Sequence, residues 1–150
     1  MNLSEHFTLE EATYSETAIR NGIDNQPSTL QLENMKVAAK CLEQLRAVTG
    51  PLKINSWLRL PAVNIAVGGS AKSSHMDGWA IDVSGSKLTP YQLCQEVKKA
   101  GIKFYQMIHE FGRWMHISFD PAMRQQELTI FKPDNKYKPG ILTEEEYHKA

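Results

Sequence analysis

Residues 73–84 read SSHMDGWAIDVS. From Trp79 onward the side chains alternate, with Trp79, Ile81 and Val83 on one side and Ala80, Asp82 and Ser84 on the other. That is the two-residue period of a strand with one face in a core. Ahead of it a serine-rich loop carries His75, seven positions before Asp82, and the residues two and four before the aspartate are Ala80 and Gly78. Bulkier residues there would crowd the face on which an imidazole and a carboxylate meet.

The same alternation recurs downstream. KFYQMIHE (103–110) and RWMHISF (113–119) read as two strands of a hairpin turning at Phe111-Gly112-Arg113. Met115, Ile117 and Phe119 form its core face, so Trp114, His116 and Ser118 look the other way. A three-residue turn sets Glu110 opposite Trp114 and Ile108 opposite His116. Glu110 is then diagonal to His116, with Cβ atoms about 7–8 Å apart. His109 falls on the opposite side from Glu110 and reads as structural; only a bulge would bring it to the polar face.

The helical signals come mainly earlier. Thr8 and Glu11 have capping-box spacing. IRNGIDNQP (19–27) reads as a loop broken by Gly22 and Pro27. Ser28 caps a long helix in which Leu32, Met35, Ala38, Ala39, Leu42, Leu45 and Val48 recur every three or four residues until Gly50-Pro51. Leu52 to Trp57 reads as a strand, Pro61 to Val67 as a short helix and VGGSAKSSH (67–75) as a loop. Thr89 caps a helix to Ala100 that Gly101 ends. LTIFK (128–132) is a further strand. The segment 133–150, with Pro133 and Pro139, reads as a peripheral tail ending in a short helix from Thr143. Helices first and clustered strands later, with short connections, predict an α+β fold: an antiparallel sheet with helices packed on one side. One domain spans 1–150, its core ending near residue 132.

Composition narrows the function. The 17 basic and 17 acidic residues cancel, and no block of like charge suggests a nucleic-acid or anionic-membrane surface. No apolar run approaches the roughly 20 residues of a membrane span. The N-terminal MNLSEHFTLEEAT has neither a basic start nor an apolar h-region, so synthesis without a secretory signal, in the cytoplasm, is expected. Cys41 and Cys94 lie in helical segments without a CxxC neighbour and read as buried small hydrophobes. A monomer is expected.

Two imidazoles and one carboxylate, His75, His116 and Asp82, make the ligand set of a tetrahedral zinc ion with its fourth position open, a catalytic type of site. A carboxylate beside it, Glu110, is placed to take a proton from the attacking water.

The pattern SxHxxGxAxD at Ser73, His75, Gly78, Ala80 and Asp82, followed by WxH at Trp114 and His116, resembles the signature of the M15 zinc peptidases, which act on peptidoglycan peptides as D-Ala-D-Ala carboxypeptidases, dipeptidases and phage endolysins. LSEHFTLEEATYSETAIRNGIDN, the long helix, SWLRLPAVNIAVGGS and WMHIS extend the likeness to the phage and prophage branch, over roughly residues 1–120. The resemblance implies a hedgehog/DD-peptidase-like fold, Zn2+ held by His75, Asp82 and His116, and Arg59 and Ser73 as substrate-binding residues. An arginine forks onto two carboxylate oxygens. The base of many M15 enzymes stands three residues before the last histidine, where this sequence has Arg113, which accepts no proton. Glu110, six before it, matches the spacing of the phage branch and of hedgehog proteins. The implied activity is amide hydrolysis in peptidoglycan stem or cross-link peptides, by endopeptidase or D,D-carboxypeptidase action. It would reach the wall after release with a lysis partner or as a virion-associated enzyme. The alternative is a non-catalytic, zinc-stabilised cell-wall or protein binding module.

Overall fold

A computed structural model describes residues 1–150. Three helices lead: α1 (Leu9–Thr13), α2 (Glu16–Asn21) and α3 (Thr29–Thr49). Then follow β1 (Leu52–Ser56), α4 (Pro61–Ala66), a single 3-10 turn (Ser74–Asp77), β2 (Ala80–Gly85) and α5 (Pro90–Ala100). The hairpin β3 (Gln106–Glu110) and β4 (Trp114–Ser118) precedes β5 (Gln126–Ile130), β6 (Lys138–Pro139) and α6 (Glu144–Lys149).

The long helix forms as its sequence dictates. Ser28 and Gln31 close a reciprocal capping box at its start, and the Gly50 N–H caps the Arg46 carbonyl at its end. Its stripe of Met35, Ala38, Ala39, Leu42 and Leu45 is wholly buried, each leucine contributing about 1.5–3 kcal/mol. These side chains share one core with Leu93, Cys94 and Val97 of α5 and with Ile81, Val83, Met107, Met115 and Ile117 from the sheet. The helices α3 and α5 therefore cover one face of the strands. The opposite face carries Asp82, His116 and Glu110.

The strand order is β1-β2-β4-β3-β5-β6. The hairpin register matches expectation: Glu110 pairs with Trp114 and Ile108 with His116. Across the other edge of β4, Asp82 pairs directly with His116, which places both on one face by the pleat. Phe111 and Gly112 turn the hairpin with φ of 57° and 65°.

Three expectations are corrected. The sheet is mixed, because β5 runs parallel to β3. With β2 already paired to one side of β4, the chain leaving β4 steps across β3 and pairs on its far edge. Strands β4 and β5 run in opposite directions, so the seven residues 119–125 suffice and no crossover helix is needed. Second, residues 16–21, whose latter half reads as loop, are helical: Ser15 caps the start, and Gly22, at φ 61°, is the left-handed stop rather than a loop breaker. Third, the segment 133–150 is no loose periphery. It supplies β6, buries Tyr147 completely and adds Ile141 to the core. The Thr129 hydroxyl ties it down, donating to the Gly140 carbonyl (2.8 Å) and accepting from the Leu142 N–H (2.9 Å).

No helix is long and apolar enough to cross a membrane.

Candidate metal centre

His75 belongs to the 3-10 turn, which the Ser73 hydroxyl caps by accepting the His75 N–H at 3.2 Å. Gly78 ends that turn at φ 84°, and a Cβ there would stand 2.7 Å from Met35 Cγ and 3.0 Å from the Gln31 carbonyl oxygen. Its smallness serves the close approach of α3, not room at a metal as its spacing suggests. The Trp57 indole N–H then binds the Gly78 carbonyl at 2.9 Å.

The His75 imidazole is 1% exposed, and its Nδ1 lies 2.7 Å from the Trp57 carbonyl oxygen. A carbonyl only accepts, so Nδ1 carries the proton and Nε2 presents a lone pair. That Nε2 is buried with no hydrogen-bond partner, and it faces Asp82 Oδ1 at 3.3 Å. The same Asp82 oxygen is 2.9 Å from His116 Nδ1. Ligand atoms about 2.0–2.1 Å from one tetrahedral ion stand about 3.3 Å apart, so these spacings need little change to accept one. Donor atoms of all three residues lie within 4.8 Å of one another. An orphaned imidazole nitrogen, a second imidazole and a carboxylate fit a divalent metal such as zinc.

Glu110 completes the cluster, with Oε1 3.9 Å from His116 Nδ1 and Oε2 accepting from the Trp114 indole N–H at 3.1 Å. Burial and then the like charge of Asp82 push its carboxyl up to about 7, against the opposing pull of His116 and Trp114. For Asp82 burial acts upward too, but the two histidines outweigh it and hold the carboxyl well below the usual carboxylate range. Burial lowers His75 despite Asp82. In His116 burial is outweighed by the hydrogen bond and charge of Asp82, and the ring is raised. The group has separated into a committed anion, a neutral imidazole with a free lone pair, and a carboxylate poised near neutrality.

Arg59 flanks this cluster. Its backbone N–H binds the His75 carbonyl at 3.0 Å, and its Nε is buried without an acceptor. Burial lowers its pKa while Asp82 and Glu110 attract the charge. A cavity of about 620 Å3 lies over the group, lined by Arg59 and Ser73 on one side and by Gln126 and Tyr137 on the other. The structure thus brings every sequence-predicted candidate, His75, Asp82, His116, Glu110, Arg59 and Ser73, to one cavity.

Other residues escaped sequence reasoning. The Trp57 carbonyl sets the His75 tautomer, and a backbone oxygen leaves no signal in a sequence. Trp114 stands in the sequence as the first residue of WxH, with no role assigned to it, yet its indole N–H orients Glu110. Tyr137 comes from the supposed tail. Its neighbours are clamped to α6, since the Tyr147 hydroxyl donates to the Lys136 carbonyl (2.7 Å) and accepts the Lys136 N–H (3.2 Å), while Lys138 Nζ binds the Tyr147 carbonyl (2.8 Å). His109 stays on the far face with no bulge, its Nδ1 2.8 Å from the Leu142 carbonyl oxygen.

The family model described as Peptidase M15 matches residues 5–118. The chain belongs to the Peptidase M15 family. That match takes in every strand and turn that supplies His75, Asp82, Glu110 and His116, and M15 peptidases are metal-dependent. Residues 119–150, including β5, Tyr137 and α6, lie beyond it. No individual curated protein matches the sequence.

Proposed function

We propose that this chain is a zinc-dependent peptidase that hydrolyses an amide bond in peptidoglycan stem or cross-link peptides, in the manner of a phage or prophage lysin. The observation that carries the metallopeptidase reading is the buried, unpartnered His75 Nε2 facing Asp82 and His116, with Glu110 held at their edge. The peptidoglycan substrate rests on the phage-branch resemblance of the motifs and on the uncommitted Arg59, suited to the carboxylates of such peptides.

When bound by His75, Asp82 and His116, zinc supplies Lewis acidity for the scissile carbonyl and lowers the pKa of water. Glu110, poised near neutrality, accepts a proton from water as its oxygen adds to the carbonyl carbon. It returns that proton to the leaving nitrogen as the C–N bond breaks, giving a carboxylate and an amine. The Trp114 N–H fixes one Glu110 oxygen so that the other faces the reacting centre. Arg59 holds a substrate carboxylate or the oxygen on which charge develops, and the Ser73 hydroxyl retains a proton to donate.

The test is wild-type protein beside Glu110→Ala on purified cell-wall fragments, with mass spectrometry of the products and elemental analysis of the metal. Wild type is expected to hold one zinc and create new amine termini. Glu110→Ala should keep its zinc and lose about 10²–10⁴-fold in rate. A wild-type protein with stoichiometric zinc and no new amine termini would instead be a zinc-stabilised binding module. Undiminished cleavage by Glu110→Ala would remove the glutamate from the mechanism.

A further inference from the structure

The cavity does not end at the proposed metal ligands. It continues across β3 onto β5, where Gln126 and Leu128 pair with Gln106 and Ile108 in the parallel ladder, and reaches Arg124. Arg124 lines the cavity together with Gln126 and Leu128. Its side chain is exposed and free. The acidic residues nearest in sequence are engaged elsewhere, Asp120 Oδ1 with the Ala122 N–H (2.9 Å) and Glu127 with Lys98 (3.2 Å).

The backbone around Arg124 is costly to make. Met123 and Gln125, the residues on either side, adopt φ of 44° and 58°, a left-handed conformation that costs a non-glycine residue stability and persists where surroundings enforce it. Here the Met123 N–H binds the Asp120 carbonyl (3.0 Å), the Gln125 N–H binds the Phe104 carbonyl (3.1 Å), and the Gln125 amide returns to the Met123 carbonyl (3.1 Å). Beside it Gln106 Nε2 donates to Gln126 Oε1 at 2.9 Å, which leaves the Gln126 NH2 and the Gln106 carbonyl for a peptide backbone.

The charges of the cavity call for an anion at two places. Arg59, Lys72 and Arg124 line it against Asp82 and Glu110, and Asp82 is already hydrogen-bonded to His116. Arg59 lies just past β1 and Arg124 just before β5, with β2, β4 and β3 between those strands. Four strand spacings are about 19 Å, several times the roughly 3.3 Å rise of one extended residue. A substrate that satisfies both arginines extends on both sides of Glu110 and His116.

Resting on the peptidase reading above, we propose that Arg124, with the Gln106–Gln126 amide pair, forms a second subsite that binds a substrate carboxylate on the side of the scissile bond away from Arg59. The enzyme then cuts within an acidic peptide rather than trimming one terminal residue. The bond made and the bond broken are those of the hydrolysis already described.

The test uses the zinc-loaded protein and stem-type peptides in which the side-chain and terminal carboxylates are amidated one at a time. Binding is measured by calorimetry in a Glu110→Gln background, and cleavage products by mass spectrometry with Glu110 intact. Arg124→Ala should weaken binding of the free-acid peptide by about 10-fold or more, and Arg124→Lys should recover part of that. Amidating the recognised carboxylate should cause the same loss in the Arg124-intact protein and no further loss in Arg124→Ala, which identifies whether it is a side-chain or a terminal group. Binding that is indifferent to Arg124, or a loss equal for every amidated peptide, overturns the subsite. Release of a single terminal residue as the sole product overturns the internal cut. Arg124-dependent binding with no cleavage by wild type supports the subsite and overturns the peptidase reading.

Discussion

His109 and His116 occupy adjacent ladder positions of one hairpin, opposite Met115 and Ile108 respectively. Both are buried, yet they have opposite roles. The His116 ring meets His75 edge-on at 5.1 Å and faces Asp82 and Glu110. His109 lies between Tyr91 and Phe131, at 5.8 and 5.2 Å, and binds a backbone carbonyl of the C-terminal segment. Burial pushes both rings toward neutrality. In His116 two carboxylates reverse that and raise its pKa. In His109 the Leu142 carbonyl and Glu144 do not, and it stays lowered. Burial alone does not make a reactive histidine; the face of the strand decides what the ring meets. A one-residue step along a strand exchanges core for site.

The strongest way to break this contrast is to make the same substitution on both faces. His116→Asn keeps an amide to bond Asp82 but loses an imidazole ligand. Zinc content should fall far below stoichiometric, the zinc-induced rise in melting temperature should vanish, and cleavage should drop by at least about 10³-fold, equivalent to about 4 kcal/mol of transition-state stabilisation. His109→Asn should retain both zinc and the rate of the folded protein. Elemental analysis, thermal melts with and without zinc, and product assays decide it. A His116→Asn protein that remains zinc-loaded would mean that His116 is no ligand.

The contrast itself was legible in the sequence, because two-residue alternation and the Phe111-Gly112-Arg113 turn together allow one register for the hairpin. The ligand-capable trio followed from the SxHxxGxAxD spacing plus the WxH pair. Capped helices were equally plain wherever a serine or threonine stood three residues before Glu or Gln, as at Thr8, Ser28, Thr89 and Thr143. What stayed hidden depends on contacts distant in sequence. That β5 pairs with β3 in parallel follows from β2 having occupied the other edge of β4, a fact of assembly that LTIFK does not encode. Gly78 looked like clearance for a metal because the approach of α3 to it is set by Met35, 43 positions earlier. Arg124 and Tyr137 stand just outside β5 and β6, where the strand alternation that would give a facing direction no longer runs.

Tyr147 tests how far the core face supports the open one. Its hydroxyl grips both backbone groups of Lys136 and so fixes Tyr137 at the cavity edge. Tyr147→Phe keeps the buried ring and should cost about 1 kcal/mol of stability, read as a lower urea midpoint with unchanged slope. If Tyr137 touches substrate, KM should rise severalfold with kcat nearly constant, and Tyr137→Ala should raise KM without shifting the midpoint. A destabilised Tyr147→Phe with wild-type KM would confine the C-terminal helix to a structural role.

The smallest expected effect concerns proton uptake by His109. Its folded-state pKa lies below the ordinary histidine value because burial outweighs the Leu142 carbonyl and the Glu144 charge, with Tyr91 of α5 and Phe131 adding no counter-ion. Well above pH 6.5 the ring is neutral whether folded or unfolded and contributes no pH dependence. As pH falls through about 6.5 the unfolded chain takes up a proton that the folded state resists, so unfolding is favoured and stability is lost until the lower, folded-state pKa is reached. His109→Asn retains a donor toward Leu142 and cannot titrate. Wild type should therefore lose stability relative to this variant between pH 7.5 and 5.5 in urea titrations, the other histidines cancelling in the difference. A gap that is unchanged, or that moves in favour of wild type as pH falls, would show His109 holding its proton in the folded protein, and the two faces of the hairpin would then not differ as their charges indicate.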